Sequence, residues 1–527
     1  MNRTEEKNQK LSVEIQSMLS RLQFSDEIVG IIENENLLPS GLLARLHNSY
    51  PKVSGLFRTE KLIFSGKDRY SGLSGFREIV EILKSHNIEL KGLADREFFI
   101  EVYRFMATKH ILNAINWENY EKDTLYQLVI PQPGMIDPAE VFKYTQAETD
   151  SERKSVVEEY QRKTNPHDGN QKLNKPWYIN EDDEIEIIKG SQHKYPPIQL
   201  ILDKTTQNCF AFCTYCFRHA QVRGDEDMFV QHDVAQIHGY LKKHKEISDI
   251  LLTGGDAGYL SYERLSEYVE PIINDPELMH IKTVRIGTRV LTFHPELILT
   301  EKYTKILELM QRIVDNGIQV VFISHFSTPR EVLNPATIAA LRRLRSHGVT
   351  LKSQSPIMNH ISLYKDLNGK VDIDRTAQNW IDLGNILGIM GVGFHSMYCA
   401  RPTGEHHYFT STLADINRVF SKVFRSLSSI NRPSRYITMT SSAGKISLMG
   451  TTEINGEKLF VLKFNEARNM EWIDQVFLAK YDENENTIEK LKPYGSNKYF
   501  FEDELKEIEE KLTAALQREL KSHKIHD

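Results

Sequence analysis

Cys209, Cys213 and Cys216 stand in the stretch NCFAFCTYCFRHAQVRG, residues 208–224, and are three of only four cysteines in a chain of 527 residues. Spacings of three and then two residues put three thiols on one compact loop, and thiols so grouped are ligands for a metal ion or cluster. A structural zinc takes four protein ligands, usually as paired C-x-x-C motifs. The fourth cysteine, Cys399, lies far down the chain. His219 is the remaining local donor, so zinc stays open as an alternative, as do three plain structural cysteines. A three-cysteine loop after a β-strand fits an iron–sulfur cluster better. A [4Fe–4S] cluster held this way keeps one iron free of protein ligands and able to bind a small molecule.

Other polar motifs sit in similar places. TGGD (253–256), GTR (287–289), HFSTP (325–329) and SQSP (353–356) each end a β-rich run. The strands expected are 198–205, 248–254, 283–289, 319–326, 349–357 and 388–397. Segments of helical period lie between them, near 231–245, 259–273, 300–316, 335–347 and 373–387. Such alternation predicts an α/β fold of βα units on a parallel sheet, and six units predict a partial (β/α)6 barrel. Loops at the carboxyl ends of such strands collect ligand chemistry. The cysteine loop follows the first strand, so the polar motifs converge on one rim.

The flanking regions carry less chemistry. Residues 1–130 are expected to be mainly helical, because KLSVEIQSMLSRLQ, SGFREIVEILKSH and REFFIEVYRFMATKHILNAIN space their apolar residues three and four apart. FSGKDRYSGLSGF reads as a loop; without a preceding strand or a following Lys-Ser/Thr, its glycines do not make a phosphate loop. A charged helix is expected over 146–166 and a loop or linker over 167–184. These features divide the chain into a helical region (1–130), a lead-in (131–190), a barrel core (191–455) and an extension (456–527). The extension ends in an amphipathic helix, 502–524, expected to pack on the domain or on a neighbouring subunit.

Composition excludes several classes. Hydrophobic residues make up 40% and charged residues 26%, with a net charge of −6; this suits a globular protein and gives no general polyanion-binding surface, so nucleic acid is not an expected partner. Apolar runs are too short to cross a bilayer, the N-terminus lacks a secretory segment, and cysteine is too sparse for a disulfide framework. A reducing cytoplasm is the expected location.

C-x-x-x-C-x-x-C in this setting resembles the radical S-adenosylmethionine (SAM) superfamily, whose open iron chelates SAM. TGGD resembles the turn that contacts the SAM amino group there, with Gly254, Gly255 and Asp256. The match narrows to the lysine 2,3-aminomutase family through RIGTR (285–289), HFSTPRE (325–331), QSPIMNHIS (354–362), GEHHYF (404–409) and AGKISLMG (443–450). The resemblance spans roughly 190–455 and implies a [4Fe–4S] cluster, SAM and pyridoxal 5′-phosphate (PLP). The family holds PLP as a Schiff base on a lysine after a glycine-rich turn. Here SSAGKISLM assigns that role to Lys445, although Ser441, Ser442 and Ala443 replace the usual proline and glycines. Gln354 matches a PLP contact, Lys194 one member of a basic pair for the PLP phosphate, and His325 a further cofactor contact. No arginine replaces the second member of the pair; Arg289 is the alternative considered. Arg218 matches the arginine that clamps the substrate α-carboxylate.

The substrate pocket departs from the family. Lysine enzymes set two aspartates around the distal ammonium, since an unpaired buried charge is costly. In CARPTGEHHY the first has become Ala400, and the second is Thr438. Lysine is therefore not the expected substrate. Arg401, beside the lost aspartate, suggests an acidic side chain and a glutamate-like substrate, with Thr438 and His407 lining the pocket. No cysteine follows Cys399, so the family's C-terminal zinc site is not expected. The implied activity is an isomerase, a PLP-dependent 2,3-aminomutase fed by a low-potential donor such as flavodoxin or ferredoxin, with homo-oligomerisation left open. Two alternatives stand beside it: radical SAM chemistry on another substrate without amino migration, and a non-enzymatic cluster- or zinc-binding regulatory protein.

Overall fold

The computed structural model describes residues 15, 17–53, 56, 62–164, 174–179, 185–224, 229–401 and 404–523. Most of the expected 167–184 loop and the first residues of the N-terminal helix lie outside them. Among the described residues, no helix is long and apolar enough to cross a membrane.

The N-terminal region is helical but not continuously so. Strand β1 (Arg69–Ser71) forms inside the expected glycine loop and pairs antiparallel with β2 (Met106–Thr108). That pairing interrupts the helix expected across 96–116, which splits into Leu93–Val102 and Lys109–Ala114. Apolar period alone cannot separate helix from a buried three-residue strand, and here the ladder prevails. A two-stranded ribbon of β3 (Trp177–Ile179) and β4 (Ile185–Ile187) follows.

The rest of the chain builds one sheet of eleven strands in simple sequential order. β5 (Ser191–Tyr195) runs antiparallel to β6 (Ile198–Leu202) at one edge. β6, β7 (Asp249–Thr253), β8 (Thr283–Thr288), β9 (Gln319–Ser324), β10 (Thr350–Ile357), β11 (Gly393–Cys399) and β12 (Ile437–Thr440) are parallel. β13 (Gly444–Ile454), β14 (Glu457–Ala467) and β15 (Val476–Lys480) then pair antiparallel. The sheet is open rather than closed, yet it curves strongly. Lys194 of β5 reaches across to donate from Nζ to the Ser441 carbonyl between β12 and β13.

Apolar strand cores such as IQLIL and DILLT are typical of a parallel sheet covered by helices. The expected βα alternation is present, with helices at Val234–Lys243, Tyr262–Asn274, Glu301–Asp315, Pro335–Ser346 and Ile373–Met390. The strand expected over 388–397 starts later, at Gly393. Residues 388–390 extend the preceding helix until Gly391, at φ 68°, caps it in the left-handed conformation. β12 and the β13–β15 meander had no sequence expectation.

Candidate active site

The cysteine loop is fastened from two sides. Phe212 N–H donates to the Met106 carbonyl (2.8 Å) and Thr214 N–H to the Leu128 carbonyl (2.9 Å), so the N-terminal region holds the loop's backbone. Arg104 donates to the Val222 carbonyl and to Asn208 Oδ1, each at 3.0 Å. On the sheet side, Gly255 and Asp256 N–H groups donate to the Thr206 carbonyl at 2.7 and 3.0 Å. This contact requires glycine. Gly254 has φ 147°, and a Cβ there would lie 2.1 Å from Thr206 Oγ1; one on Gly255 would lie 2.8 Å from the Asn208 carbonyl oxygen and 3.0 Å from Cys209 Sγ.

Burial pushes all three thiols upward, Cys216 to about 12. Three thiolates are stable in such surroundings only against a bound cation. Their sulfurs do not all come within 4.8 Å of one another, among the described residues. A single tetrahedral zinc with Zn–S bonds of about 2.3 Å would set its ligands roughly 3.8 Å apart. The spacing and the donor set fit a cluster better than one ion. His219 packs edge-on against Tyr103, with ring centroids 4.9 Å apart.

Asp256 is a brace as the structure stands. Its Oδ1 accepts from Gly258 N–H (2.8 Å) and Thr288 Oγ1 (2.5 Å), and its Oδ2 from Arg289 N–H (2.8 Å). Burial raises it to about 6 despite those bonds. Arg289 belongs to the cysteine loop, not to the end of the site where Lys445 lies. It donates to Glu331 Oε1 (2.7 Å), Tyr215 Oη (2.9 Å) and Cys213 Sγ (3.1 Å).

Beside this loop, the curved sheet encloses a cavity of about 250 Å³. It brings together six of the expected residues: Lys194, Arg218, His325, Gln354, Arg401 and Lys445, with Thr438 at its wall. His407 is not among its lining; its side chain is 54% exposed and lies 3.6 Å from Glu405. Burial, then Arg289 and Arg218, hold His325 neutral at about 3. Tyr398 donates to Gln354 Oε1 at 2.7 Å.

Five cations line this cavity, and none of its described lining residues is Asp or Glu. Two of the five have partners just behind the wall: Arg285 with Asp249 (2.7 Å) and Lys445 with Glu466 (2.5 Å). Lys194, Arg218 and Arg401 have no carboxylate within 4.0 Å among the described residues. Arg218 and Arg401 both lie against the Phe217 ring, 5.5 and 5.2 Å from its centroid. Burial and then Arg401 lower Arg218 to about 10. Burial, then Arg468 and Arg401, lower Lys194 to about 7. A cavity with three half-buried cations, Arg401 repelling both Arg218 and Lys194, is built for anions.

The turn before Lys445 is well made despite its altered sequence. Ser441, in the place of proline, donates its N–H to the Gly444 carbonyl (2.7 Å) and accepts from Gly444 N–H at Oγ (3.1 Å). A Cβ on Gly444 would lie 2.2 Å from the Glu466 carbonyl oxygen. Arg468 Nε donates to the Ser442 carbonyl at 2.9 Å. Glu466, near the end of β14, and Arg468, just after it, lie outside every motif and so carried no signal in the sequence. A hairpin signal existed: Asn455–Gly456, with φ 53° and 76°, is the favoured two-residue turn between β13 and β14.

A loop of three cysteines, a close-packed glycine turn and a cationic cavity that includes a lysine thus lie together, a site with donors for a metal cluster and room for a small anionic molecule. The chain is similar to curated lysine and glutamate 2,3-aminomutases. A protein of Aquifex aeolicus (strain VF5) with a provisional L-lysine 2,3-aminomutase name is 29% identical over 267 residues, 50% of this chain and 66% of the relative. The L-lysine 2,3-aminomutase of Methanococcus maripaludis is 22% identical over 333 residues, covering 59% and 70%. The glutamate 2,3-aminomutase of Clostridioides difficile is 29% identical over 202 residues, covering 36% and 44%. The chain thus spans just under two thirds of the first relative and 44% of a second Aquifex protein. No family model matches it.

Proposed function

We propose that the chain is a PLP-dependent radical SAM 2,3-aminomutase acting on a free amino acid other than lysine, with an acidic, glutamate-like side chain. The observation that carries this reading is the surplus of cations in the cavity: Lys194, Arg218 and Arg401 lack carboxylate partners among the described residues, while Ala400 and Thr438 stand where the resemblance places the aspartates of the lysine enzymes. Three anionic groups match the three cations. Lys194 takes the cofactor phosphate, Arg218 the substrate α-carboxylate and Arg401 the distal carboxylate.

Cys209, Cys213 and Cys216 hold the cluster, and the turn at Gly254–Gly255 admits SAM close to it. When bound, the cluster with SAM supplies a carbon-centred radical, and PLP lets nitrogen move between adjacent carbons. The protein's own work is positional. Arg218 sits next to the cysteine loop, so a carboxylate gripped there sets the β-carbon near the site of radical formation. Lys445 anchors the cofactor at the opposite side, with Gln354 and Tyr398 against it. Apolar lining from Leu200, Leu251, Met358 and Phe217 excludes water. A low-potential flavodoxin or ferredoxin is the matching electron source.

The test uses anaerobically purified, iron–sulfide-reconstituted protein incubated with PLP, reduced with borohydride and mapped by peptide mass. A phosphopyridoxyl group on Lys445, with glutamate but not lysine giving a β-amino product, is the expected result. SAM cleavage without any adduct on Lys445 would instead favour radical chemistry without amino migration.

A further inference from the structure

Lys445, like Arg285 and unlike Lys194, Arg218 and Arg401, has a carboxylate partner fixed by the sheet among the described residues. It faces Glu466 across the β13–β14 ladder, and the register slips by one residue immediately beyond this pair. Directly opposed residues of an antiparallel pair project from the same face of the sheet, so the two side chains lie together, with Lys445 at the cavity wall. Nζ lies 2.5 Å from Glu466 Oε2, and the other carboxylate oxygen accepts from Arg435 Nη1 at 2.9 Å. Glu466 is 8% exposed. Burial alone would raise it, but Lys445 and then Arg435 outweigh that and hold it at about 2, so it stays ionised.

We propose that Glu466 is the positioning residue and charge partner of the Lys445 nitrogen, holding it cationic after it has bonded to the carbonyl carbon of an aldehyde cofactor. This rests on the assignment of Lys445 made above. The chemistry balances: an alkylammonium and an aldehyde give a protonated imine and one water, the C=O bond being replaced by C=N with no net proton release. The positive charge therefore stays where Glu466 meets it. A protonated imine carbon is also the better electrophile for an incoming substrate amine.

Other groups around Lys445 do not supply this charge. Tyr195 of β5 presents a ring face 5.2 Å from Nζ. Asp249 of β7 is committed to Arg285 of β8 at 2.7 Å. Burial, then Arg435, Lys352 and Lys445, keep His395 of β11 neutral at about 3. Lys194 adds like charge. Among the described residues, Glu466 is the one carboxylate within 4.0 Å of Nζ.

The experiment is a pH titration of the visible absorption band of PLP bound to the full-length protein, for wild type, Glu466→Gln, Glu466→Asp and Arg435→Gln. The midpoint at which the protonated chromophore is lost should fall by about one pH unit or more in Glu466→Gln, roughly a tenfold loss of proton affinity. It should stay close to wild type in Glu466→Asp and rise in Arg435→Gln, where a repelling cation is gone. Opposite shifts in the two neutralising variants cannot come from loosened packing, and Arg435→Gln keeps the test open if Glu466→Gln fails to fold. A midpoint unchanged in both, with a Lys445 adduct present, overturns the role of Glu466 alone. Absence of any Lys445 adduct in wild type overturns the PLP assignment and this proposal with it.

Discussion

Tyr103, at the end of an N-terminal helix, donates its hydroxyl to Glu405 Oε1 at 2.8 Å, joining residues 302 positions apart. Tyr160 donates to the same oxygen at 2.7 Å. Glu405 lies just after the loop that carries Arg401, and the Tyr103 ring also packs on His219 beside the cysteine loop. One tyrosine thus ties the helical region both to His219 beside the cysteine loop and to Glu405.

Glu405 should make stability depend on pH. Burial raises it to about 7 from an ordinary carboxylate value, the two tyrosine bonds only partly opposing. The folded state therefore binds this proton more tightly than the unfolded chain, so the contribution is fully present below about pH 4.5 and is lost as pH rises through about 7. Across that window the loss is about 3 kcal/mol. Glu405→Gln should flatten this part of the profile, gaining on wild type between pH 5 and pH 8 in thermal melts. Parallel melting curves for the two proteins would contradict the assignment.

Gly444→Ala tests the turn before Lys445. A methyl group 2.2 Å from the Glu466 carbonyl oxygen must part β13 from β14. The expected cost is about 2–4 kcal/mol, with loss of the borohydride-trapped Lys445 adduct. Gly450→Ala, with open space around its Cβ, is the comparison: its positive φ of 144° brings strain without a clash, and the adduct should survive.

Replacing Cys209, Cys213 or Cys216 singly with alanine should reduce bound iron to background and abolish 5′-deoxyadenosine formation. Cys399→Ala should leave iron content unchanged, since Cys399 lies on the cavity wall at the end of β11. Iron analysis and the visible spectrum of reconstituted protein decide this.

Arg401→Ala should cost glutamate turnover roughly 10- to 100-fold in kcat/KM, in keeping with about 1.5–3 kcal/mol for a charged hydrogen bond. Neutral amino acids of similar size should lose little. Arg218→Ala should impair every amino acid, because all carry the α-carboxylate. Equal losses for acidic and neutral substrates in Arg401→Ala would remove the specificity role.

Much was legible in one dimension because it is local. The cysteine spacing, the glycines of TGGD and the βα rhythm between 198 and 390 depend on contacts within a few residues or on periodicity. The structure adds to them only boundaries, as where Gly391 holds back β11. Asn455–Gly456 shows the limit of local reading: it encodes the hairpin that sets Lys445 opposite Glu466, yet its consequence lies ten residues to either side. What only the tertiary structure decided is which charges meet. Glu466, Arg435 and Arg468 carry no motif. Asp256 is committed to Thr288 and the Arg289 backbone, Arg289 stands by Cys213, and His407 turns to solvent. Electrostatic partnership falls off over a few ångströms of space, whatever the separation along the chain. Curvature of the sheet, which brings Lys194 of β5 to the turn after β12, therefore sets the cavity's charge.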